Sequence, residues 1–263
     1  MDLQLKDKVV LVMASSKGLG KATALEFAKE GATVLLSSRN EESLTQTVEE
    51  IKQLTKNTQV FAKACDMSSV EDINDLLSWV TENYGGADIL INNTGGPTAG
   101  GFKDVADEDW MAAFEKNLLS YIRTTRAVLP HMQAHNFGRI INISSSSTKE
   151  VIDGLILSNT FRSGMVGLTK SLAREYAKNN ILVNTIGPGR IATDRVAELD
   201  QIAADRQSVS LEDIVKHSEN MIPIGRYGKP EEFAKVVLFL ASPANTYMTG
   251  QSLIIDGGML KAL

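Results

Sequence analysis

The sequence predicts an α/β protein, a doubly wound parallel sheet of about seven strands in three layers, on three observations. Short apolar, β-branched runs alternate with longer amphipathic stretches throughout the 263 residues. Each run is almost continuously apolar, as in strands covered on both faces. A Gly-rich turn containing Gly18 and Gly20 joins the first run to the first amphipathic stretch. Composition agrees, since 43% apolar residues, 22% charged residues and a net charge of −5 describe a soluble globular chain with material for a large core.

The predicted strands are Val9–Met13, Thr33–Leu36, Gln59–Ala62, Ile89–Ile91, Arg139–Ile143, Leu182–Ile186 and Leu253–Ile255. Helical spacing fills the gaps, as in Phe161, Met165, Leu168, Leu172 and Tyr176, where every step is three or four. Between the sixth strand and the helix starting near Pro230 lie about forty residues, more than a crossover needs. Helical patterns over Arg195–Asp205 and Leu211–Asn220 make this segment a two-helix flap. The expected organisation is one domain, 1–263, with residues 193–221 as a lid over the carboxyl ends of the strands, where such sheets bind ligands.

Several function classes are excluded. The single cysteine, Cys65, forms no internal disulfide, and no Cys/His spacing suggests zinc, so a cytoplasmic location is expected. With 27 Lys and Arg against 32 Asp and Glu and no basic block, nucleic acid is not an expected partner. The N-terminal apolar run, Val9–Ala14, is too short for a signal peptide or a bilayer span, so no membrane association is expected. His131 and His135 share a helix face, but the last turn of a helix accounts for them and no metal is predicted.

Ala14, Ser15, Ser16, Lys17, Gly18, Leu19 and Gly20 follow the first strand and open the first helix. There the free N–H groups and partial positive charge of a helix start suit a pyrophosphate, so a dinucleotide is expected. A carboxylate about 20 residues on would hold the 2′-hydroxyl of NAD. The second strand instead ends in Ser37, Ser38 and Arg39, while Glu41 and Glu42 read as the first turn of a helix capped by Asn40. Lys17 and Arg39 are expected to clamp the 2′-phosphate of NADP(H).

Further motifs follow in order. Asp66 and Met67 come after the third strand, and Asn92, Asn93, Thr94 and Gly95 after the fourth. Asn117 lies in the long helix beyond Trp110. Next come Gly138 to Ser145, then Asn184 with Pro188, Gly189, Ile191 and Thr193, and finally Asp256, Gly257 and Gly258. With the Gly-rich turn these resemble the short-chain dehydrogenase/reductase family along nearly the whole chain, with a likeness to 3-oxoacyl-[acyl-carrier-protein] reductases. The resemblance implies a Rossmann fold, a homotetramer or homodimer, a small-molecule substrate and hydride transfer between NADP(H) and an alcohol or carbonyl. It also implies cofactor contacts at Ser38, Arg39, Asp66, Met67, Asn92, Thr94, Gly95, Pro188, Gly189, Ile191 and Thr193.

Two departures stand out. Ala14 replaces a family glycine, so the turn is expected to keep a negative φ there. More severely, counting from Ser145, the family's catalytic tyrosine position holds Ser158 and its lysine position Arg162. No tyrosine lies between Tyr121 and Tyr176. Serine is a far weaker acid than tyrosine, and a guanidinium stays ionised and relays no proton. The expected active site is therefore Asn117, Ser145, Ser158 and Arg162, with Ser145 and Arg162 stabilising an oxyanion; Arg162 also borders the nicotinamide ribose. The alternative is a weak or inactive NADPH-binding sensor on the same scaffold. A third reading, Ser146–Lys149 as the Ser-x-x-Lys of an acyl-transfer enzyme, lacks its partner motifs.

Overall fold

The computed structural model describes residues 2–262. Seven strands, β1 Val9–Met13, β2 Thr33–Ser38, β3 Val60–Ala64, β4 Ile89–Asn92, β5 Gly138–Ile143, β6 Ile181–Pro188 and β7 Ser252–Ile255, form one sheet in the order β3-β2-β1-β4-β5-β6-β7. Every pairing is parallel. Each strand ends within two residues of its expected limits, because the apolar runs are short and sharply bounded.

The helices are α1 Gly18–Lys29, α2 Glu41–Thr55, α3 Val70–Tyr84, α4 Asp107–Phe114, α5 Ser120–Ala134, α6 Ile156–Tyr176, α7 Asp194–Gln207, α8 Leu211–Met221 and α9 Pro230–Leu240. Alternation along each strand supplies two cores. Val10 and Val12 of β1 pack toward Phe27 of α1, Leu44 and Ile51 of α2 and Phe233 of α9. Leu11 and Met13 face Leu76 of α3, Tyr121 and Met132 of α5 and Met165 of α6. These are the three layers.

Local caps set where the helices begin. Asn40 Oδ1 accepts the Ser43 N–H at 2.7 Å, so Glu41 and Glu42 form a first helical turn, as expected. Ser69 and Ser210 cap α3 and α8 in the same manner. β1 pairs with both β2 and β4, so the chain winds outward to β3 and then crosses to start the other half. The crevice beyond the ends of β1 and β4 is the topological switch point where such sheets take ligands.

The forty-residue excursion folds into α7 and α8, as its patterns required. Its anchor is Asp200, a buried carboxylate paired with Arg190 and accepting from Tyr227 Oη at 2.9 Å. Among the described residues no helix is long and apolar enough to cross a membrane.

Candidate active site

The Gly-rich turn is built by strand stitching. Ser15 donates its N–H to the Ser37 carbonyl at 3.0 Å, and its hydroxyl donates to Val12 O and accepts from Ser37 N–H. Through these bonds the buried Ser15 ties β1 to β2. They also force a sharp bend just before Ser15, and Ala14 takes φ +47°, not the expected negative value. The left-handed region is unfavourable for a residue with a Cβ. Asn93 holds the bend by donating its Nδ2 to Ala14 O at 3.1 Å. Gly18 has φ +57°, and a Cβ on Gly20 would lie 2.4 Å from Ala14 O, so the turn closes only with glycine there.

Beyond the turn, Lys17 is the residue preceding α1 and makes no side-chain cap, and no acid occupies the first turn. The helix start thus keeps N–H groups and partial positive charge for an anion. Leu19 packs against the core, and Thr47 Oγ1 donates to Ser16 O at 3.0 Å. Lys17 is not engaged with Arg39: its ammonium lies 3.0 Å from Asp194 at the start of the lid, both side chains about three-quarters exposed. So exposed a pair is weak and easily exchanged for a stronger anion. Arg39 lies exposed just past β2, next to Ser38, whose hydroxyl is buried with no partner.

The start of α7 touches both banks of the crevice. Thr193 caps α7, accepting the Val196 N–H, and its methyl lies against Gly18. On the far bank Arg195 donates to Pro97 O at 2.9 Å. Ile191 is buried, Pro188 closes β6, and a Cβ on Gly189 would collide with Asp256 at 2.5 Å. Asp66 is half-buried and accepts the Ser68 N–H; Met67 packs into the core beneath it.

Asn92, at the end of β4, has its side chain bonded within the protein. Its amide donates to Asn142 Oδ1 at 2.9 Å and to Thr125, and it accepts from Thr124 Oγ1 at 2.6 Å. Asn142 continues to Thr169, which meets Thr185 at 2.7 Å. This buried polar chain joins β4, β5, β6, α5 and α6 beneath the site. The Asn92 side chain fixes the floor, leaving Thr94 and Gly95, half-buried and exposed, to border the crevice.

At the other end, residues Glu115–Leu119 form a π-helical turn between α4 and α5 and carry the fully buried Asn117. Such insertions often mark functional positions. Arg162, also buried, donates through Nη2 to Asn117 Oδ1 at 3.0 Å and through Nη1 to Ile143 O at 2.8 Å and to Tyr121 Oη at 3.2 Å. Tyr121 itself donates to Ile143 O at 3.0 Å. Burial pushes its phenol above the ordinary tyrosine value, with Arg162 pulling the other way. Three of the five guanidinium N–H donors are therefore committed inside the protein.

Ser145, half-buried at the end of β5, accepts the Ser147 N–H at 3.1 Å and starts a short turn over Ser146–Thr148. Ser158 Oγ is near Ser147 Oγ, at 3.4 Å. Nearby, Ser144 Oγ and Asn117 Nδ2 are buried without partners. The residues fit a dinucleotide: a glycine cradle and helix start for phosphates, cations at one end, and hydroxyl and amide groups at the other.

Two residues of this neighbourhood carry no signal in the sequence. Tyr121 reads as one more core aromatic until the fold brings Arg162 to it. Lys116 reads as a surface lysine, yet it is half-buried, and a Cβ on Gly95 would stand 3.6 Å from its Nζ.

A family model described as Enoyl-(Acyl carrier protein) reductase matches residues 13–260, and the chain belongs to this short-chain dehydrogenase/reductase family. The 3-oxoacyl-[acyl-carrier-protein] reductase FabG of Thermotoga maritima is 34% identical, over 98% of this chain and 100% of its own. Among solved structures, L-sorbose reductase from Gluconobacter frateurii, complexed with NADPH and L-sorbose, matches with a TM-score of 0.94 and 31% identity, covering 100% of both chains. An NADPH-bound short chain oxidoreductase from Pseudomonas aeruginosa PAO1, described as containing an atypical catalytic center, matches with a TM-score of 0.87 and 27% identity, covering 98% of this chain and 100% of the other.

Proposed function

We propose that the protein is an NADPH-dependent oxidoreductase that reduces a C=O, C=N or C=C bond of a small molecule at a site lacking the family's tyrosine and lysine. The observation that carries this reading is the retained Ser145 and Asn117 beside a complete dinucleotide cradle. Arg39 with no acid at the end of β2 favours the 2′-phosphorylated cofactor, and the NADPH in the solved relatives supports the same choice.

Bound NADPH would supply hydride to the substrate carbon. The chain's task is then the substrate heteroatom. Ser145 Oγ, already accepting the Ser147 N–H, keeps its own proton free to donate to a developing oxyanion. Arg162 contributes positive charge and its two uncommitted N–H donors, while its other bonds fix its position. Ser158 and Ser147 provide a hydroxyl pair through which a proton from water can pass. Substrates needing little acid assistance, such as iminium ions and activated carbonyls, suit this arrangement best, because losing a tuned general acid costs ~10²–10⁴-fold.

The second reading, a cofactor-binding protein without turnover, is favoured by the commitment of Arg162 to internal bonds. A panel of ketones, enones and imines separates the two. Consumption of NADPH with at least one panel member supports the oxidoreductase; tight NADPH binding with none consumed supports the sensor.

A further inference from the structure

Lys116 immediately precedes Asn117 in the π-helical turn, and nothing in the reductive chemistry above uses it. Its ammonium makes no salt bridge among the described residues, although it is half-buried and has several charged groups around it. These are Arg39 after β2, Asp66 after β3, Arg195 on the lid and Arg162 on α6. Four cations thus face one carboxylate, which itself accepts the Ser68 N–H. Partial burial, then Arg39, holds the Lys116 ammonium below the ordinary lysine value. A half-buried cation among three others and a single carboxylate that it does not bond gains from an anion that pairs with it directly.

The position of that anion follows from the neighbours. The Lys116 ammonium lies beside Gly95 after β4, where an added Cβ would stand 3.6 Å from its Nζ. Arg39 and Asp66, at the ends of β2 and β3, are among the charged groups acting on it. The unpartnered Ser38 hydroxyl lies at this same end. We propose that Lys116 is a binding residue for the phosphates flanking the adenosine ribose of the dinucleotide, adding a cation from the α4–α5 junction to Arg39 from β2. The proposal rests on the NADPH reading and deepens it, placing phosphate recognition on the same helical turn as Asn117.

The probe is adenosine 2′,5′-bisphosphate, titrated calorimetrically into the wild type, Lys116→Met and Lys116→Arg, with melting curves of each. Lys116→Met is expected to weaken binding by about 10- to 100-fold, as loss of a charge-assisted contact does. Its affinity should also depend less steeply on salt. Lys116→Arg should stay within about threefold of wild type, because it keeps the charge. Affinity of Lys116→Met within twofold of wild type overturns the proposal, as does equal loss in both variants with unchanged melting, which would make the lysine's shape the determinant. If the wild type itself does not bind the probe, the NADPH reading falls and the proposal falls with it.

Discussion

The two ends of the crevice are built on opposite principles. At the end proposed for the adenosine the charged groups are exposed or half-buried: Lys17 is loosely paired, Arg39 is solvated and Lys116 makes no salt bridge among the described residues. At the end proposed for the reduction Arg162, Tyr121, Asn117 and the Ile143 carbonyl are buried and bonded in one cluster. The first end suits an anion that brings its own charge. In the proposed reduction the second would hold a fixed array for a charge that appears only during reaction, which is what preorganised stabilisation requires.

The largest effect should come from the reducing end. Ser145→Ala removes the free hydroxyl and is expected to lower kcat by ~10²–10³-fold with little change in NADPH affinity. Steady-state rates with a calorimetric binding curve measure both, and a parallel loss of binding would erase the distinction between the two ends. Tyr121→Phe comes next. It removes both bonds of the hydroxyl, the one to Ile143 O and the one from Arg162, but leaves Arg162 on Ile143 O and Asn117, so a stability loss of about 1–2 kcal/mol is expected by chemical denaturation. A neutral result would make Tyr121 simple core filling.

At the adenosine end the effects are smaller and depend on pH. The Lys116 ammonium is held below its ordinary value in the folded chain, so between the folded and unfolded values the unfolded chain binds more protons. Stability of the ligand-free protein from this group therefore rises with pH across that window. Lys116→Met should remove that rise, which paired denaturation curves at neutral and alkaline pH will show. The smallest effect belongs to the turn: Ala14→Gly relieves φ +47° and should raise stability by about 0.5–1 kcal/mol, the gain from left-handed freedom being partly offset by the added flexibility of the unfolded chain.

The same contrast explains what the sequence disclosed. All seven strands, the lid helices and the glycine turn were legible because each depends on residues close together in the chain. Asn40 as a helix cap was legible for the same reason. Arg162 could be recognised as a substitution, but its partners lie 41 and 45 residues away, at Tyr121 and Asn117, and only the fold brings them together. Ser15 and Asn92 carry family motifs, yet their polar atoms join strands and helices, which a motif does not reveal. The positive φ at Ala14 arises from the bonds of its neighbour, so reasoning from the alanine alone gave the wrong sign.

The central claim is that this site reduces a substrate without a tyrosine acid, and isotope transfer tests it most directly. NADPH deuterated at the transferable C4 position is incubated with the carbonyl, enone and imine panel, and products are examined by mass spectrometry for wild type and Ser145→Ala. The account predicts deuterium in the product of at least one substrate with the wild type and a large loss with the variant. Tight binding of the labelled cofactor with no deuterium in any product, or transfer indifferent to Ser145, would contradict it.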